Sequence, residues 1–319
     1  MATEALPELD AQYRLLREGA GLLDRSGRGK LILSGGEAAE YLQGQLTNDI
    51  EGLAPGEGCY CALLDRKGHL QADARALRLS EAEIWLDSEA ATTDTLKRHL
   101  ETYKIGREVE LSDVSSEWAI LSLLGPAAPG LAAASPGPEN NHGEVQLGGV
   151  QARWVGTDLG IDLIVLAAGA ASLREALLKA GAAEISEQAA EIARVESGRP
   201  RFGAEMSSAT MPAEVGIVER AVDFEKGCYI GQEPVARLHY RGRPNRLLRG
   251  LRLSAPAEAG AELALGDKQV GSIGSACVSP ALGPVALAVV RREAEPGAPL
   301  RVGDGSTTAE VVELPFTRG

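Results

Sequence analysis

The chain has 319 residues and a formal net charge of −13; 44% of its residues are hydrophobic and 4% are aromatic. This length exceeds one ordinary core, so two or three packed units with aliphatic interiors are expected. The acidic balance argues against direct binding to nucleic-acid phosphates. The amino terminus lacks the basic region of a secretory signal, and the longest apolar run, 163–171, is far below the roughly 20 residues of a spanning helix. These features predict a cytoplasmic protein without membrane contacts.

Residues 28–198 alternate strand patterns with helix patterns. The predicted strands are 28–34, 58–64, 69–79, 83–87, 108–113, 117–125, 144–155 and 161–167. The predicted helices cover 38–46, 89–104, 170–180 and 186–198. The order β-α-β-β-α-β is approximated across 28–124, which indicates an α+β fold with antiparallel sheets.

The carboxyl-terminal part of the chain has a different character. Beyond residue 243, short strand-like runs are separated by Gly and Pro turns, and no helical period is present. This pattern predicts a small all-β barrel or sandwich. We therefore expect two domains, 1–242 and 243–319.

Three of the four cysteines are interpreted as packing residues. Cys59 and Cys61 stand two apart on a predicted strand and so lie on one face. Because no second pair of Cys or His residues has suitable spacing, we expect no metal site there. Cys277, between Ala276 and Val278, is interpreted as a core residue of the β domain.

Cys228 differs because it lies between Gly227 and Gly231 in the segment 225–237. Two nearby glycines permit backbone angles that present a thiol at a sharp turn. The cations Lys226 and Arg237 would favour the thiolate, the form that attacks disulfides or ligates metals. A functional thiol and a buried structural cysteine both remain open from the spacing alone.

Two carboxylates and one basic stretch are further candidates. Asp73, among apolar strand neighbours, is either a satisfied strand-end group or a partner for a ligand amine. Glu196 falls at the end of a predicted helix, where the dipole disfavours an acid; it is either exposed or an acceptor for heterocyclic N–H groups. Six arginines occur between Pro234 and Pro256, with no acid among them. They form either a site for a small polyanionic ligand or a set of surface ion pairs.

The motif KGCYIGQE at 226–233, continued by Ala236 and Arg237, resembles the signature of the YgfZ family of folate-binding proteins. That family is related to the glycine-cleavage T-protein (GcvT, an aminomethyltransferase) and to iron–sulfur assembly factors. The other segments that fall in family order are GLLDRSGRGKLILSG (21–35), LQGQLTND (42–49), Gly68 to Asp73, LLGPAA (123–128), R-x-E-x-G (194–198) and MPAE (211–214). The resemblance implies a GcvT-like three-lobed ring, in which two mixed α/β lobes share a folate site and a C-terminal β-barrel closes the arrangement.

The resemblance also implies site residues and a cofactor, tetrahydrofolate or a derivative. It matches Glu196 to the glutamate that grips the pterin ring, and Asp73 to the aspartate beside the folate amines. We expect Asp73 and Cys228 to be the catalytic residues. The residues expected to bind folate are Glu196, Asp73, Arg194, Glu214, Lys226 and Arg237, the last of these contacting the glutamate tail.

The motif leaves three hypotheses. T-proteins carry Asp-Phe where this chain has Cys228-Tyr229, so the leading hypothesis is a YgfZ-type accessory protein. Such a protein would support assembly or repair of iron–sulfur enzymes, including tRNA-thiolating ones, with Cys228 holding a transient iron–sulfur species or exchanging disulfides with clients. Asp73, which several YgfZ proteins lack, supports an alternative, a folate-dependent aminomethyltransferase or demethylase. A non-catalytic partner in RNA modification ranks last because no stacking aromatic motif accompanies the arginines.

Overall fold

The computed structural model describes residues 8–316. Within this range the helices are α1 (Leu9–Glu18), α2 (Ala38–Gln45), α3 (Ala90–Tyr103), α4 (Ala128–Leu131), α5 (Ala170–Lys179), α6 (Glu187–Glu196), α7 (Val218–Ala221) and α8 (Gln232–Arg241). The strands before α6 are β1 (Gly21–Asp24), β2 (Gly29–Ser34), β3 (Gly58–Leu64), β4 (Leu70–Ser80), β5 (Glu83–Ser88), β6 (Glu110–Asp113), β7 (Trp118–Leu124), β8 (His142–Leu147), β9 (Val150–Gly156), β10 (Gly160–Leu166) and β11 (Ala183–Glu184). Those after α8 are β12 (Arg246–Leu253), β13 (Glu262–Leu265), β14 (Lys268–Ser279), β15 (Gly283–Arg291), β16 (Pro299–Val302) and β17 (Thr307–Val312).

These elements form two compact units. The first contains the chain up to Leu64, Gln71–Ala190 and Arg220–Ile230. The second contains Asp65–Leu70, Glu191–Glu219 and the chain from Gly231 onward. The chain therefore crosses from one unit to the other several times. The predicted boundary between 1–242 and 243–319 stays a prediction.

The first unit holds a five-stranded sheet with the strand order β3-β4-β5-β2-β6. Strand β5 pairs with β2 and with β4 in antiparallel register. Helix α2 packs Tyr41 and Leu42 against this sheet, and α3 adds Leu96 and Leu100, all of which are buried. The spacing of four between Leu96 and Leu100 places both on one face of α3, which is why that face is in the core.

The same unit holds a six-stranded sheet with the order β11-β1-β7-β10-β9-β8. Strand β7 pairs antiparallel with both β1 and β10, so its residues are buried on both sides. Helix α5 covers one face of the sheet through Leu173 and Leu177. The two sheets are the predicted pair of mixed α/β lobes.

Apolar side chains and a buried ion network lie between the two sheets. Leu77 and Trp85 from the first sheet join Ile120 and Ile164 from the second in one buried cluster. Beside them Arg75 donates to Asp87 and, at 2.6 Å, to Asp162. Arg28 also reaches Asp87, at 2.7 Å. Because a buried charge is stable only when it is paired, these arginines and aspartates depend on one another.

The second unit contains a closed six-stranded barrel with the strand order β12-β15-β14-β13-β16-β17. Its core is aliphatic, with Leu251, Leu263, Val290 and Val311 fully buried. The register of β14 against β15 shifts between Ile273 and Ser275, which inserts a β-bulge at this point. The predicted fold class, two sheet lobes and a C-terminal all-β barrel, is confirmed.

Several local predictions needed correction. The strand at 118–124 does not complete a unit with the strands before it, because it pairs with β1 and β10 in the other sheet. The predicted strand at 144–155 is a hairpin, since the two-residue turn Gly148-Gly149 separates β8 from β9. Helices α1 and α8 and strand β1 were not predicted. No helix in residues 8–316 has the length and apolar character to cross a membrane.

Candidate functional site

Asp73 lies on β4 beside Tyr60 of β3. The Tyr60 hydroxyl donates a hydrogen bond to Asp73 Oδ2 at 2.9 Å. The other carboxylate oxygen, Oδ1, is buried and has no hydrogen-bond partner among the described residues. A buried acceptor without a donor costs free energy, so this oxygen is suited to a donor from a ligand.

Burial controls the protonation of this pair. Burial raises the pKa of Asp73 above its ordinary value of 3.8, and the Tyr60 hydrogen bond and the charge of Arg28 oppose the rise. Burial, followed by the neighbouring Asp73 carboxylate, raises the pKa of Tyr60 well above 10. Tyr60 is therefore a protonated donor at neutral pH, and it holds one carboxylate oxygen while the other stays free.

Arg220 and Asn48 fix the position of Tyr60. The Arg220 guanidinium lies 4.9 Å from the centre of the Tyr60 ring and forms an ion pair with Glu139. The side-chain amide of Asn48 donates to the backbone carbonyls of Tyr60, at 2.8 Å, and of Arg220, at 3.0 Å. The Arg220 cation over the ring and the two hydrogen bonds from the Asn48 side chain hold Tyr60 in one orientation.

The first part of the KGCYIGQE motif (226–233) is held in place by Lys226. The Lys226 ammonium donates to the backbone carbonyls of Gln43, Leu46 and Asn48 at 2.7–2.8 Å. Two of these carbonyls belong to the end of α2 and its first following residue, where backbone acceptors lack helical partners and a cation is favourable. Burial lowers the pKa of Lys226 to about 8, against the opposing effect of nearby acids and thiols.

A second set of bonds joins the same two segments. The Thr47 hydroxyl donates to the Ala221 carbonyl at 2.5 Å, and the Asp223 amide donates to the Thr47 carbonyl at 3.0 Å. Thus the LQGQLTND segment (42–49) and the segment before Cys228 form one hydrogen-bonded assembly. The residue types in the two segments therefore depend in part on the hydrogen bonds between them.

Cys228 itself is exposed. Its neighbour Tyr229 is buried, with the ring 5.2 Å from the Lys226 ammonium. Gly231 has a φ of 83°, a left-handed conformation that favours glycine, and α8 begins at the next residue. The hypothesis that Cys228 is an accessible thiol therefore agrees with its exposure. The Lys226 ammonium, in contrast, donates hydrogen bonds to backbone carbonyls.

The other three cysteines are more enclosed. Cys61 is in the core of the first sheet and Cys59 packs against that core, which confirms their interpretation as packing residues. Cys277 is half-buried beside Val285 and Leu287, and burial raises its pKa to about 12.

Glu196 occupies the last position of α6 and is 5% exposed. Its Oε1 oxygen accepts a hydrogen bond from the Ser279 hydroxyl, and its backbone carbonyl accepts the Phe316 amide at 3.1 Å. The alternative of a surface-exposed glutamate is therefore wrong. A buried carboxylate at a helix end, where the dipole disfavours it, is retained for a reason other than solubility.

The remaining predicted folate-binding residues, Arg194, Glu214 and Arg237, differ in the ion pairs and hydrogen bonds that their side chains form. Arg194 contacts Glu191 and, at 3.1 Å, Glu205. Both carboxylate oxygens of Glu214 accept from Arg246, at 2.9 and 3.0 Å. The Arg237 side chain is exposed, and its guanidinium forms no hydrogen bond or ion pair with another residue in 8–316. Their predicted roles in folate binding stay predictions.

The arginine stretch is partly neutralised. Arg246 pairs with Glu214 and Arg249 with Glu313, as the alternative of ordinary ion pairs predicts. Arg241 and Arg243, like Arg237, are exposed and make no such pair with another described residue. The unpaired cations are therefore concentrated on α8 and just after it.

The predicted site residues are divided between the units. Asp73, Lys226 and Cys228 belong to the first. Glu196, Arg194, Glu214 and Arg237 belong to the second. Sequence reasoning missed Tyr60, which stands between the two cysteines that drew attention. The predicted hairpin contained the necessary signal, because its strands place residues of 58–64 beside residues of 69–79.

Comparisons with known proteins identify the family. Residues 3–226 match the GCVT N-terminal domain, and residues 246–317 match the glycine cleavage T-protein C-terminal barrel domain. An aminomethyltransferase of Rubrobacter xylanophilus is 30% identical, over 97% of this chain and 86% of that protein. An aminomethyltransferase of Symbiobacterium thermophilum is 31% identical, over 96% of this chain and 88% of that protein.

A solved structure shares the fold. The glycine cleavage system aminomethyltransferase T from Bartonella henselae superimposes with a TM-score of 0.87, at 23% identity, over 97% of this chain and 90% of that one. Two α/β sheet lobes followed by a closed barrel thus define a GcvT-like fold. The chain belongs to the glycine cleavage T-protein family, with the N-terminal domain and the C-terminal barrel both present. Membership of the YgfZ branch in particular stays a proposal.

Proposed function

We propose that this protein binds tetrahydrofolate and transfers a one-carbon unit at Asp73, as the aminomethyltransferase alternative predicted. The observation that carries the proposal is the Asp73 carboxylate, with one oxygen held by Tyr60 and the other buried without a donor. The relatives that span nearly the whole chain are named aminomethyltransferases, which supports this function better than the accessory role. When bound, tetrahydrofolate supplies the amine nitrogens that carry the one-carbon unit.

The residues present fit such a cofactor. Asp73 Oδ1 lacks the N–H donor that a folate amine or its protonated form provides. Glu196, buried at the end of α6, offers a carboxylate of the kind that accepts N–H groups of a pterin. Asp73 is the residue of the first unit that would hold a donor group of the cofactor, and Glu196 is the residue of the second unit predicted to accept one.

Asp73 would act mainly by position and charge. A buried carboxylate stabilises positive charge that develops on a nearby nitrogen, and low polarity strengthens that effect. Because burial raises the pKa of Asp73, its carboxyl group is also better able to accept a proton from that nitrogen. Tyr60 keeps the carboxylate in one orientation and so acts as a positioning residue.

The direct test measures transfer of the methylene carbon from the aminomethyl group on a lipoylated carrier protein to tetrahydrofolate, with release of the nitrogen as ammonia. We expect Asp73→Asn to lower kcat by about 100-fold, the lower end of typical acid–base contributions. The matched control is Asp94→Asn, which changes an exposed carboxylate on α3. Unchanged turnover in Asp73→Asn, or the absence of turnover in the unmodified protein, would rule out this function.

A second candidate function rests on the exposure of Cys228. In this proposal the protein binds folate and supports iron–sulfur enzymes, with the Cys228 thiol exchanging with a disulfide of a client or briefly binding iron or sulfide. The exposed thiol is at the position where T-proteins carry an aspartate, which gives the motif a chemistry that transfer does not need.

Complementation separates the two candidates. A deletion strain grown with and without oxygen would receive Cys228→Ser, Asp73→Asn or, as control, Cys277→Ser, and iron–sulfur enzyme activities would be measured. Loss of these activities only with Cys228→Ser supports the accessory function. Full complementation by Cys228→Ser eliminates it.

A further inference from the structure

A cavity of about 680 Å³ in the second unit has no role in the proposed chemistry. It lies against strands β12, β14 and β15 and is bordered by the segment 204–214. We call it the barrel cavity. Its volume is in the range of sites for small organic ligands. Asp73, Tyr60 and Glu196 are not among its lining residues; Glu214, also predicted to bind folate, is, but both its carboxylate oxygens accept from Arg246.

One wall of the barrel cavity contains a carboxylate with an unused oxygen. Glu205 has a fully buried side chain whose Oε2 accepts from Arg194 and from the Arg201 amide at 3.1 and 3.0 Å. Its Oε1 is buried and has no donor among the described residues. Gly274, at the β-bulge, allows this close approach, since a Cβ there would lie 2.8 Å from Glu205 Oε1.

The surroundings of Glu205 indicate which donor it would accept. Arg194 contacts both Glu191 and Glu205, and Arg201 contacts Glu191, so each of these two acids already has a cationic partner. A buried ammonium would add an uncompensated charge, whereas a neutral amide or heterocyclic N–H would not. The unused oxygen therefore fits a neutral N–H donor.

The opposite end of the cavity carries a cation. Arg291, at the end of β15, is exposed, and its guanidinium has no hydrogen bond or ion pair with another residue in 8–316. The cavity's other arginine, Arg246, is already paired with Glu214. The lining side chains Asn245 and Gln269 add amide groups that also have no hydrogen-bond partner in the described part of the chain. A guanidinium with neighbouring amides is suited to a phosphate or carboxylate.

The barrel register sets the distance between these two ends. Ser272 lies directly opposite Val289, and Arg291 and Gly274 are each two residues from that pair, in opposite directions along the sheet. Four residue spacings correspond to about 13 Å along the backbone. A ligand that meets both ends is therefore larger than an amino acid.

We propose that the barrel cavity binds a small organic anion whose other end is a neutral N–H donor, the pattern of a nucleoside monophosphate. The anionic group would bind Arg291, and the heterocycle would lie against Gly271, Ser272 and Val289 and donate toward Glu205. This ligand site goes beyond folate-dependent transfer and does not depend on it.

The test is isothermal titration of the full-length protein with GMP and AMP as probes. At least one nucleotide is expected to bind, and guanosine, adenosine and inorganic phosphate should each bind at least about tenfold more weakly because each lacks one end of the pattern. Arg291→Gln should weaken binding by about tenfold or more. Arg292→Gln, the neighbouring exposed arginine outside the cavity lining, is the matched control and should bind as the unmodified protein does.

Two further measurements complete the test. Ser272→Trp should block the cavity and abolish nucleotide binding while the thermal unfolding transition stays cooperative. Tetrahydrofolate should not displace the nucleotide. The proposal fails if neither nucleotide binds at millimolar concentration, if Arg291→Gln and Arg292→Gln behave alike, or if tetrahydrofolate competes, since competition would mean one shared folate site.

Discussion

At the scale of single residues, we expect the ionised Asp73 carboxylate, which the proposed function needs, to lower the stability of the fold. Burial raises its pKa, so the ionised carboxylate is least favourable at pH values above its folded-state pKa. Stability associated with this group is therefore present at low pH and is lost as pH rises through the folded-state pKa. Such costs are common where a site needs a poorly solvated charge.

Asp73→Asn is accordingly predicted to stabilise the protein at pH 7, by about 0.5–2 kcal/mol. Urea unfolding of the variant and the unmodified protein across pH 4–8 checks this, and the difference should shrink toward pH 4. A variant that is less stable at pH 7 and also inactive would point to a structural role for Asp73.

Replacing Lys226 should instead destabilise the protein, because its ammonium donates hydrogen bonds to backbone carbonyls. Lys226→Met leaves the carbonyls of Gln43, Leu46 and Asn48 without this donor, and we expect a loss of about 1–3 kcal/mol at pH 7. The pKa of Lys226 is lowered by burial from 10.5 to about 8. Between these values the unfolded chain binds the proton more tightly, so stability should rise with pH across that window in the unmodified protein.

The measurement is the pH dependence of the free energy of unfolding from pH 7 to 10.5. The rise should be absent in Lys226→Met. An identical pH profile in both proteins would show that Lys226 is not titrating in a buried setting.

The four thiols should react in a fixed order. Cys228 is exposed, whereas Cys61 is buried and has its pKa raised by its hydrogen-bonding interaction with the Cys59 thiol and by burial. Iodoacetamide at pH 7.5, followed by mass spectrometry, should modify Cys228 first and Cys61 only after unfolding. Faster labelling of Cys61 or Cys277 would contradict the accessible position of Cys228.

At the scale of secondary-structure elements, the two sheets of the first unit depend on a buried ion network. Burial alone would raise the pKa of Asp87, but Arg75 and Arg28 outweigh it and hold that pKa below 3.8. The stability from Asp87 is therefore present above its unfolded-state pKa and is lost as pH falls through the lower, folded-state value. Two strands and the turn before β2 meet at this carboxylate.

Asp87→Asn should destabilise the protein by about 3–5 kcal/mol, because it leaves the buried Arg75 guanidinium and the half-buried Arg28 guanidinium without their shared partner. Denaturant unfolding at pH 7 provides the measurement. Asp113→Asn, which breaks the more exposed pair with Lys97, should have a much smaller effect. Equal losses in the two variants would mean that the buried network is not an important support.

The extent of sequence prediction follows from the range of the interactions. Local periodicity found α3 and the β3–β4 hairpin because side chains close in sequence determine them. It missed the pairing of β7 with β1, which depends on contacts across about 100 residues of chain, and it missed α8, whose start is set by the left-handed Gly231. Asp73 and Glu196 were identified through motifs, whereas Tyr60 became visible only from the position of its hydroxyl.

At the scale of the whole molecule, the net charge predicts which partners the protein attracts, whereas the family membership determines its fold. The net charge of −13 predicts weak attraction to nucleic acid despite the unpaired arginines of α8. Filter binding to tRNA at low salt should therefore show no affinity that falls steeply with added salt. A steep salt dependence would revive the RNA-partner hypothesis.

Family membership sets the fold, while the Asp73 carboxylate and the Cys228 thiol point to different chemistries. Fold similarity alone does not decide between them, because one fold hosts several activities. What both proposals share is the binding of tetrahydrofolate by this chain, so this shared claim is the one to test first.

The most direct measurement is anaerobic isothermal titration of tetrahydrofolate into the full-length protein, Asp73→Asn, Glu196→Gln and the control Asp94→Asn. We predict one binding site in the unmodified protein and in the control, and binding at least about tenfold weaker in the other two variants. Absence of binding to the unmodified protein, or equal affinity in all four proteins, would contradict the account.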